Sequence, residues 1–394
     1  MPSVLVGGTN GKGSTAAMLA SIADMAGLRT GLYTSPHLVE VTERIRIGRR
    51  DVERGEVDAA LSDAFSAADE APAVPLTYFE ALTAAAFVLF ARWKLDLAVL
   101  EVGLGGRLDA TNVVPARLSV VTSIGLDHTA DLGTTVEAIA REKAGILRGR
   151  RPCLVSAEAP EALASLAEAS DAVGAFWHDA SEEISLSRIE TDLSGTRFGL
   201  ATPVRMYAAQ TPLPGAHQAW NAALAVRAAE LLAPEFPKLT ASACTSGLRA
   251  AAWPGRLERV EVSGRAVVLD GCHNADGAAA VGRFLDETGL SGRVELVFGA
   301  MADKDVEAMA RELLPRVRGA HFVPAGTDRA ASPEELLRRA GPLAGRARPC
   351  GTAAEALRLL LGAASSEPII VAGSLYLVGE VRGLLLSGEF ETTP

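Results

Sequence analysis

Short apolar runs alternate with longer helical patterns along the first 150 residues. Residues 4–6, 30–33, 97–101 and 118–123 are nearly continuous apolar runs, the pattern of strands covered on both faces. Between them, 15–26, 77–93 and 134–147 carry helical spacing, the first closed by Gly27. Strands alternating with helices predict βαβ units and a largely parallel sheet. The character changes over 171–210, where Ser, Thr, Gly and short alternating runs predict an antiparallel patch; 218–232 returns to an Ala-rich helix. After Trp253-Pro254-Gly255 a second alternating series begins, with strands at 267–270, 294–298 and 368–372 and helices at 275–286, 303–314 and 332–340. The last has Ser332 at the N-cap and Pro333 at the first helical position. Two domains follow, 1–255 and 256–394.

Composition narrows the class. Of 394 residues 48% are hydrophobic and 22% charged, enough apolar material for two ordinary cores. A net charge of −10 argues against a nucleic-acid binder, while leaving room for a locally positive pocket. Cys153, Cys244, Cys272 and Cys350 form no CxxC pair, which excludes a zinc module or disulfide scaffold and fits a reducing cytoplasm. The apolar stretch 84–91 is cut by Arg92 and Lys94, short of the roughly 18 residues that span a membrane. The start, Met1-Pro2-Ser3-Val4-Leu5-Val6, has no basic region or cleavage site and reads as a strand, not a signal peptide. A cytoplasmic monomer working on small molecules, without nucleic acid or membrane, is the expectation.

The sharpest local pattern is Val6-Gly7-Gly8-Thr9-Asn10-Gly11-Lys12-Gly13-Ser14-Thr15, a strand running through a glycine turn into a helix. Glycines let backbone N–H groups converge on an anion, and the helix start adds positive potential. Lys12 supplies a mobile cation for terminal phosphates and Ser14 an oxygen for Mg2+. The strict G-x-x-x-x-G-K-[ST] spacing is not met, because Val6 replaces the first glycine and Gly13 separates Lys12 from Ser14. No G-x-G-x-x-G is present, which argues against a dinucleotide site. The fold class expected is α/β: a P-loop-type N-terminal domain with a mostly parallel sheet and a smaller antiparallel patch, then a second, Rossmann-like α/β domain.

Ligands of open α/β sheets sit beyond the carboxyl ends of strands. Glu101 closes an apolar run there, and His128 in Ser123-Ile124-Gly125-Leu126-Asp127-His128 follows the next. Mg2+ prefers oxygen, so a histidine ligand is chemically unusual. Thr34-Ser35-Pro36-His37 offers Ser35 as a further oxygen, though by itself it reads as a turn. Lys143, in Glu142-Lys143-Ala144-Gly145, reads by spacing alone as a surface lysine.

Together these runs resemble the folylpolyglutamate synthase/dihydrofolate synthase family of the Mur ligase superfamily. Matching stretches run from 8–14 through 33–38, 76–80, 100–113, 122–129 and 140–146 to 213–221, 253–258, 270–274, 298–305 and 373–382. The resemblance implies an ATP-dependent ligase that adds L-glutamate to dihydropteroate or folate through an acyl phosphate, with ATP and two Mg2+. It implies that 1–255 is the ATP-binding domain and 256–394 the glutamate-ligase domain. It gives Gly8, Thr9, Asn10, Gly11, Lys12, Gly13 and Ser14 to the nucleotide phosphates, with Gln218, Asn221, Arg256 and Asp270 as further nucleotide-side residues. Ser14, Ser35, Glu101 and His128 resemble the magnesium ligands. Lys143 matches a lysine that becomes carbamylated, which turns a cation into a carboxylate beside the metal. His273 and Ser374 match positions near glutamate and the acyl phosphate, and Thr77, Phe79 and Asp109 match pterin-side positions. Phe79 is suited to stack on a flat ring.

Two departures accompany the resemblance. Seven residues precede Gly8, where family members carry a longer segment that helps cover the folate pocket. Cys272 stands where a small residue such as alanine is usual. Interdomain closure about Gly255-Arg256 is expected to bring Arg256, His273 and Ser374 to the nucleotide. A Mur-type cell-wall peptide ligase, a nucleotide-binding protein without turnover and a small-molecule kinase are the competing readings.

Overall fold

Strands buried on both faces build the first sheet. In the computed structural model, which describes residues 1–70, 73–390 and 392–393 (the last two by backbone alone), β1 (Ser3–Gly7), β2 (Thr30–Tyr33), β5 (Leu97–Glu101) and β6 (Leu118–Val121) are buried along their whole lengths. The remaining strands are β3 (Ile45–Ile47), β4 (Arg50–Asp51), β7 (Pro152–Val155) and β8 (Phe176–Asp179), in the order β4-β3-β2-β5-β1-β6-β7-β8. Helices α1 (Lys12–Met25), α2 (Arg54–Ala68), α3 (Tyr78–Arg92), α4 (Thr129–Leu132), α5 (Val136–Ala144) and α6 (Pro160–Val173) connect them. Central β1 pairs in parallel with both β5 and β6, placing Val6 beside Glu101 and Gly7 beside Val121. The loops leaving three strands therefore open at one edge of the sheet.

Residues 176–179 depart from the expected antiparallel patch. Phe176–Asp179 lies parallel to β7, Pro152 opposite Phe176. Helix α6 makes this possible, since parallel neighbours need a crossover connection of a dozen or more residues. Its signals were legible: Pro160 at the helix start and Gly174 at φ 69° just past its end. The antiparallel patch itself is β9 (Ser185–Asp192), β10 (Gly195–Ala201) and β11 (Met206–Thr211), after the short α7 (Ala180–Glu183), in order β11-β10-β9. Two residues join β9 to β10, a link that only antiparallel strands accept.

Helices α8 (Ala216–Leu232) and α9 (Ala241–Ala250) follow. Most of α8 is buried, and its buried polar residues are Gln218, Asn221 and Arg227. The second sheet contains β12 (Glu258–Val262), β13 (Arg265–Asp270), β14 (Glu295–Phe298), β15 (Gly319–Phe322), β16 (Ala347–Pro349), β17 (Ile369–Ala372) and β18 (Thr392–Thr393), in the order β16-β15-β14-β17-β13-β12-β18. Its helices are α10 (Ala275–Glu287), α11 (Val306–Leu313), α12 (Pro333–Ala340), α13 (Ala353–Leu361) and α14 (Leu375–Leu386). Ser263 and Gly264, at φ 49° and 76°, make the tight β12–β13 hairpin. The other inner strands are parallel, with Asp270 and Phe298 both opposite Ala372. The chain divides into two compact units: Met1–Ile189, Arg197–Pro212 and Gln218–Ala252 form one, and Glu190–Thr196, Leu213–His217 and Trp253–Pro394 the other. No helix among the described residues is long and apolar enough to cross a membrane.

Within the first unit α9 lies against α1 with no room for a side chain. A Cβ on Gly247 would stand 2.4 Å from Ile22 Cα, and Ser21 Oγ donates to Gly247 O at 2.8 Å. Gly247→Ala is expected to lower unfolding free energy by about 2 kcal/mol, the cost of overpacking against backbone, read as a lower urea midpoint. An unchanged midpoint would remove this close approach as a constraint.

Candidate active site

The glycine turn after β1 is held by the residues that follow β6, more than 100 positions later. Thr122 Oγ1 donates to Asn10 O at 2.7 Å, Thr9 N–H to Ser123 O at 2.6 Å, and Asn10 N–H to Ser123 Oγ at 3.0 Å. Thr9 Oγ1 and the Gly125 backbone are also paired. The turn tolerates no side chain at two places. At Gly8, φ 139°, a Cβ would stand 1.9 Å from Thr122 Oγ1; at Gly11, φ 83°, it would stand 2.5 Å from Asn221 Oδ1. Gly11 is the N-cap of α1, so the first N–H groups of that helix face outward from the turn. Ser14 is buried in that first turn, and Thr15 Oγ1 is the one buried side-chain polar atom among the described residues without a partner. A glycine turn at the start of a helix is suited to an anion.

Two lysines converge on it. Lys12 Nζ donates to Gly8 O and Thr9 O at 3.1 and 2.9 Å, and Lys143 Nζ to Gly8 O at 2.7 Å. Lys143 is buried on α5, and burial, reinforced by the Lys12 charge and opposed by Asp127 and Asp109, pulls its amine down to about 7. The surface lysine suggested by spacing is thus an interior one.

Glu101 is buried at the tip of β5, where its Oε2 accepts the Ser35 N–H at 3.1 Å and ties the β2 loop to the same edge. His128 is exposed at φ 50°, with Nε2 4.0 Å from Asp127 Oδ1. Among the described residues no three His, Cys, Asp or Glu side chains gather as a metal site. The available donors are one carboxylate, the Ser14 and Ser35 hydroxyls and a histidine. That set fits Mg2+ carried in on phosphate, which keeps waters and takes few protein ligands; it does not fit a free-standing cation cage.

Other anticipated residues hold loops. Asp109 Oδ2 accepts the N–H of Gly103 and Leu104, both at 3.0 Å, while its Oδ1 takes Thr111 N–H and hydroxyl. Thr77 caps α3 in a reciprocal box with Glu80. Phe79 presses its ring on Gly103, where a Cβ would stand 2.6 Å away. Asn221 Nδ2 donates to Gln218 Oε1 at 3.1 Å.

In the second unit, Asp270 ends β13, with Oδ2 accepting Leu257 N–H and Oδ1 accepting Cys272 N–H. Burial raises its carboxyl, and Arg256 and these donors work against that rise. Arg256 Nη1 donates to Gly255 O at 3.1 Å, His273 Nδ1 lies 3.0 Å from Gly271 O, and Ser374 caps α14 by accepting Tyr376 N–H. These four positions share the carboxyl edge of the second sheet. The residues that sequence reasoning passed over are Thr122 and Ser123, which clamp the turn, and Thr15; a Thr-Ser pair closing an apolar run was the available signal.

Residues 6–229 match the Mur ligase middle domain and residues 255–375 the Mur ligase, glutamate ligase domain. A probable bifunctional folylpolyglutamate synthase/dihydropteroate synthase of Haloferax volcanii is 39% identical over 96% of this chain, which spans 45% of that protein's length. The dihydrofolate synthase/folylpolyglutamate synthase of Bacillus subtilis is 34% identical over 96% of this chain and 89% of its own. Escherichia coli FolC in complex with DHPP and ADP superposes with a TM-score of 0.86 at 32% identity, covering 98% of this chain and 89% of that one. The architecture is that of a Mur ligase. Within that class, the chain belongs to the folylpolyglutamate synthase/dihydrofolate synthase family.

Lys143 makes stability depend on pH. Its folded amine titrates near 7 against 10.5 for the free side chain, so between those values the unfolded chain holds a proton that the folded chain lacks. Folded nucleotide-free protein therefore gains stability as pH rises through this window. Lys143→Met should erase that gain, about 2 kcal/mol between pH 6.5 and 9, in urea titrations at the two pH values. An undiminished rise would place the titrating group elsewhere.

Proposed function

We propose that the protein is an ATP-dependent acid–amino-acid ligase that joins L-glutamate to dihydropteroate or to a folate, forming ADP and phosphate. The observation that carries this reading is the glycine turn at the start of α1: two lysines meet at Gly8 O, with Glu101 on the adjacent strand tip. The family relatives named for this chemistry support it, as does a related structure holding ADP.

A carboxylate is a poor electrophile, so the acceptor carboxyl must first be activated. One of its oxygens attacks the γ-phosphorus of ATP, the bond to the β–γ bridging oxygen breaks, and ADP leaves an acyl phosphate. The glutamate amine then attacks the acyl carbon, the C–O bond to phosphate breaks, and the ammonium proton passes to solvent or base. Most of this catalysis is positioning and charge neutralisation. The amides of Gly11 and Gly13 receive the phosphates, Gly8, Thr9 and Asn10 shape the loop around them, and Lys12 swings from the loop carbonyls to the terminal phosphoryl oxygens. Gln218 and Asn221, and Arg256 and Asp270 in the second unit, serve the nucleotide. His273 and Ser374 hold glutamate and the acyl phosphate, while Thr77, Phe79 and the Asp109-braced loop present the pterin.

Ser14, Ser35, Glu101 and His128 hold Mg2+, which when bound neutralises charge on the phosphates. The neutral amine of Lys143 adds to CO2, and the proton lost from its nitrogen as the carbamate forms passes to solvent. A buried amine titrating near 7 is largely neutral at physiological pH, which is the form that reacts, and the carbamate removes the repulsion between Lys12 and Lys143.

Purified protein with ATP and Mg2+ is expected to release ADP only when both L-glutamate and a dihydropteroate or reduced folate are present. A nucleotide-sugar peptide acceptor should be inert. Lys12→Ala should slow turnover about 1,000-fold, the scale of losing a preorganised charge at the transferred group. Bicarbonate added to decarbonated buffer should raise the wild-type rate and leave Lys143→Ala unchanged. ADP release independent of glutamate would overturn the ligase reading.

A further inference from the structure

Helix α8 meets the glycine turn on one side and a buried ionic cluster on the other. On the first side Asn221 Nδ2 donates to Gln218 Oε1, and Asn221 Oδ1 leaves no room for a Cβ on Gly11. Arg227 follows Gln218 by nine positions, and Glu230 follows Asn221 by nine. Each interval is about two and a half turns, so the two pairs occupy opposite sides of the helix. Arg227 Nε donates to Glu183 Oε2 at 2.7 Å, and its Nη1 to Glu230 Oε2 at 3.2 Å. The side chains of Arg227 and Glu230 are only 8% and 6% exposed, so this is an interior cluster and not a surface ion pair.

The cluster collects neighbours from several elements. Glu183 Oε1 lies 2.8 Å from His178 Nδ1, and Glu230 Oε1 accepts the hydroxyls of Tyr207 and Thr202, each at 2.8 Å. The edge strand β8, α7, the turn after β10 and β11 are thereby tied to the back of α8, all within the first unit. Trp220 Nε1 adds one neutral hydrogen bond, to Ser156 Oγ at 2.7 Å.

Packing alone holds this helix weakly. Six of the twelve buried residues of α8 are alanines. Their short side chains make low ridges, which leave rotation and sliding of the helix loosely set. A buried ion cluster adds little net stability, because the cost of desolvating its charges offsets their attraction; its best-attested use is to fix register. We propose that Arg227, held by Glu183 and Glu230, is a positioning residue that pins the register of α8 and so sets where Asn221 stands against the nucleotide turn. The inference rests on the assignment of Asn221 to the nucleotide made above.

Calorimetric titration with ADP and Mg2+, which needs no turnover, tests the pin. Arg227→Ala alone would strand two carboxylates, so the test protein combines Arg227→Met with Glu183→Gln and Glu230→Gln. It removes the three charges and keeps oxygens for His178, Tyr207 and Thr202. Its melting temperature is expected within about 5 °C of wild type, and its ADP affinity about 10-fold lower. In turnover the loss should fall on the ATP KM, with the glutamate and folate KM in place. Asn221→Ala should weaken ADP about 10-fold in wild type but only about 2-fold in the triple variant, where Asn221 is no longer held; that non-additivity measures the coupling. Arg227→Lys, which keeps the charge and loses the fork, should lie between wild type and the triple variant. Wild-type ADP affinity in a folded triple variant overturns the proposal, and so do strictly additive losses. A triple variant that fails to fold, with Arg227→Lys binding ADP as wild type does, overturns it too, since the cluster then supplies stability and not register. Asn221→Ala without effect in wild type instead overturns the nucleotide role of Asn221, and this inference with it; wild-type protein that takes up no ADP overturns the ligase reading itself.

Discussion

The carbonyl of Gly8 receives two ammonium groups, and the rest of the first unit is arranged around that fact. Gly8 O accepts from Lys12 on α1 and from Lys143 on α5, while the same residue's α-carbon lies against Thr122. A carbonyl can satisfy two donors, but two cations that close oppose one another. The opposition is expressed in the amine that water reaches least: Lys143 is pulled to about 7 by burial and by Lys12, and so is poised between charged and neutral forms. The parallel pairing of β1 with β5 and β6 makes the arrangement possible, because it brings the three loops to one edge.

The carboxylates divide by task. Asp109 and Asp270 are committed to backbone N–H groups and act as staples of the loops that follow β5 and β13. Glu43 does the same for the 38–40 turn, accepting from Leu38, Val39 and Glu40. A carboxylate bonded to several amides is held in place and braces the loop that carries those amides. Glu101 differs in kind: it is a buried acid at a strand tip, joined to the Ser35 amide and paired across the sheet with Val6, just before the glycine turn.

The same economy recurs in the second unit on a separate sheet. Residues again gather at the carboxyl edge, after β13 (His273, with Asp270 at its end), after β14 (Met301), after β15 (Arg329) and after β17 (Ser374, Tyr376). Each sits on a loop short enough to be pinned by neighbouring backbone, so side-chain direction follows from strand order.

Local pattern determined the parts that are local. The continuous apolar runs of β1, β2, β5 and β6 announced strands covered on both faces, the glycine run announced a turn between β1 and α1, and Ser332-Pro333 announced the start of α12, where Ser332 caps the Glu335 amide. Matching stretches in order along the chain carried the family. The Ala-rich helices α2 and α6 and the parallel edge strand β8 escaped, because alanine marks helix faces weakly and strand direction depends on the connection. Only the tertiary structure decided that Lys143 is interior, that Thr122 and Ser123 close the turn from 112 and 113 residues away, that Asn221 limits Gly11, and that Arg329 meets Tyr376. The reason is physical: an amine's titration and a side chain's hydrogen-bond partner depend on what is packed beside them, and periodicity along a chain carries no record of neighbours that distant.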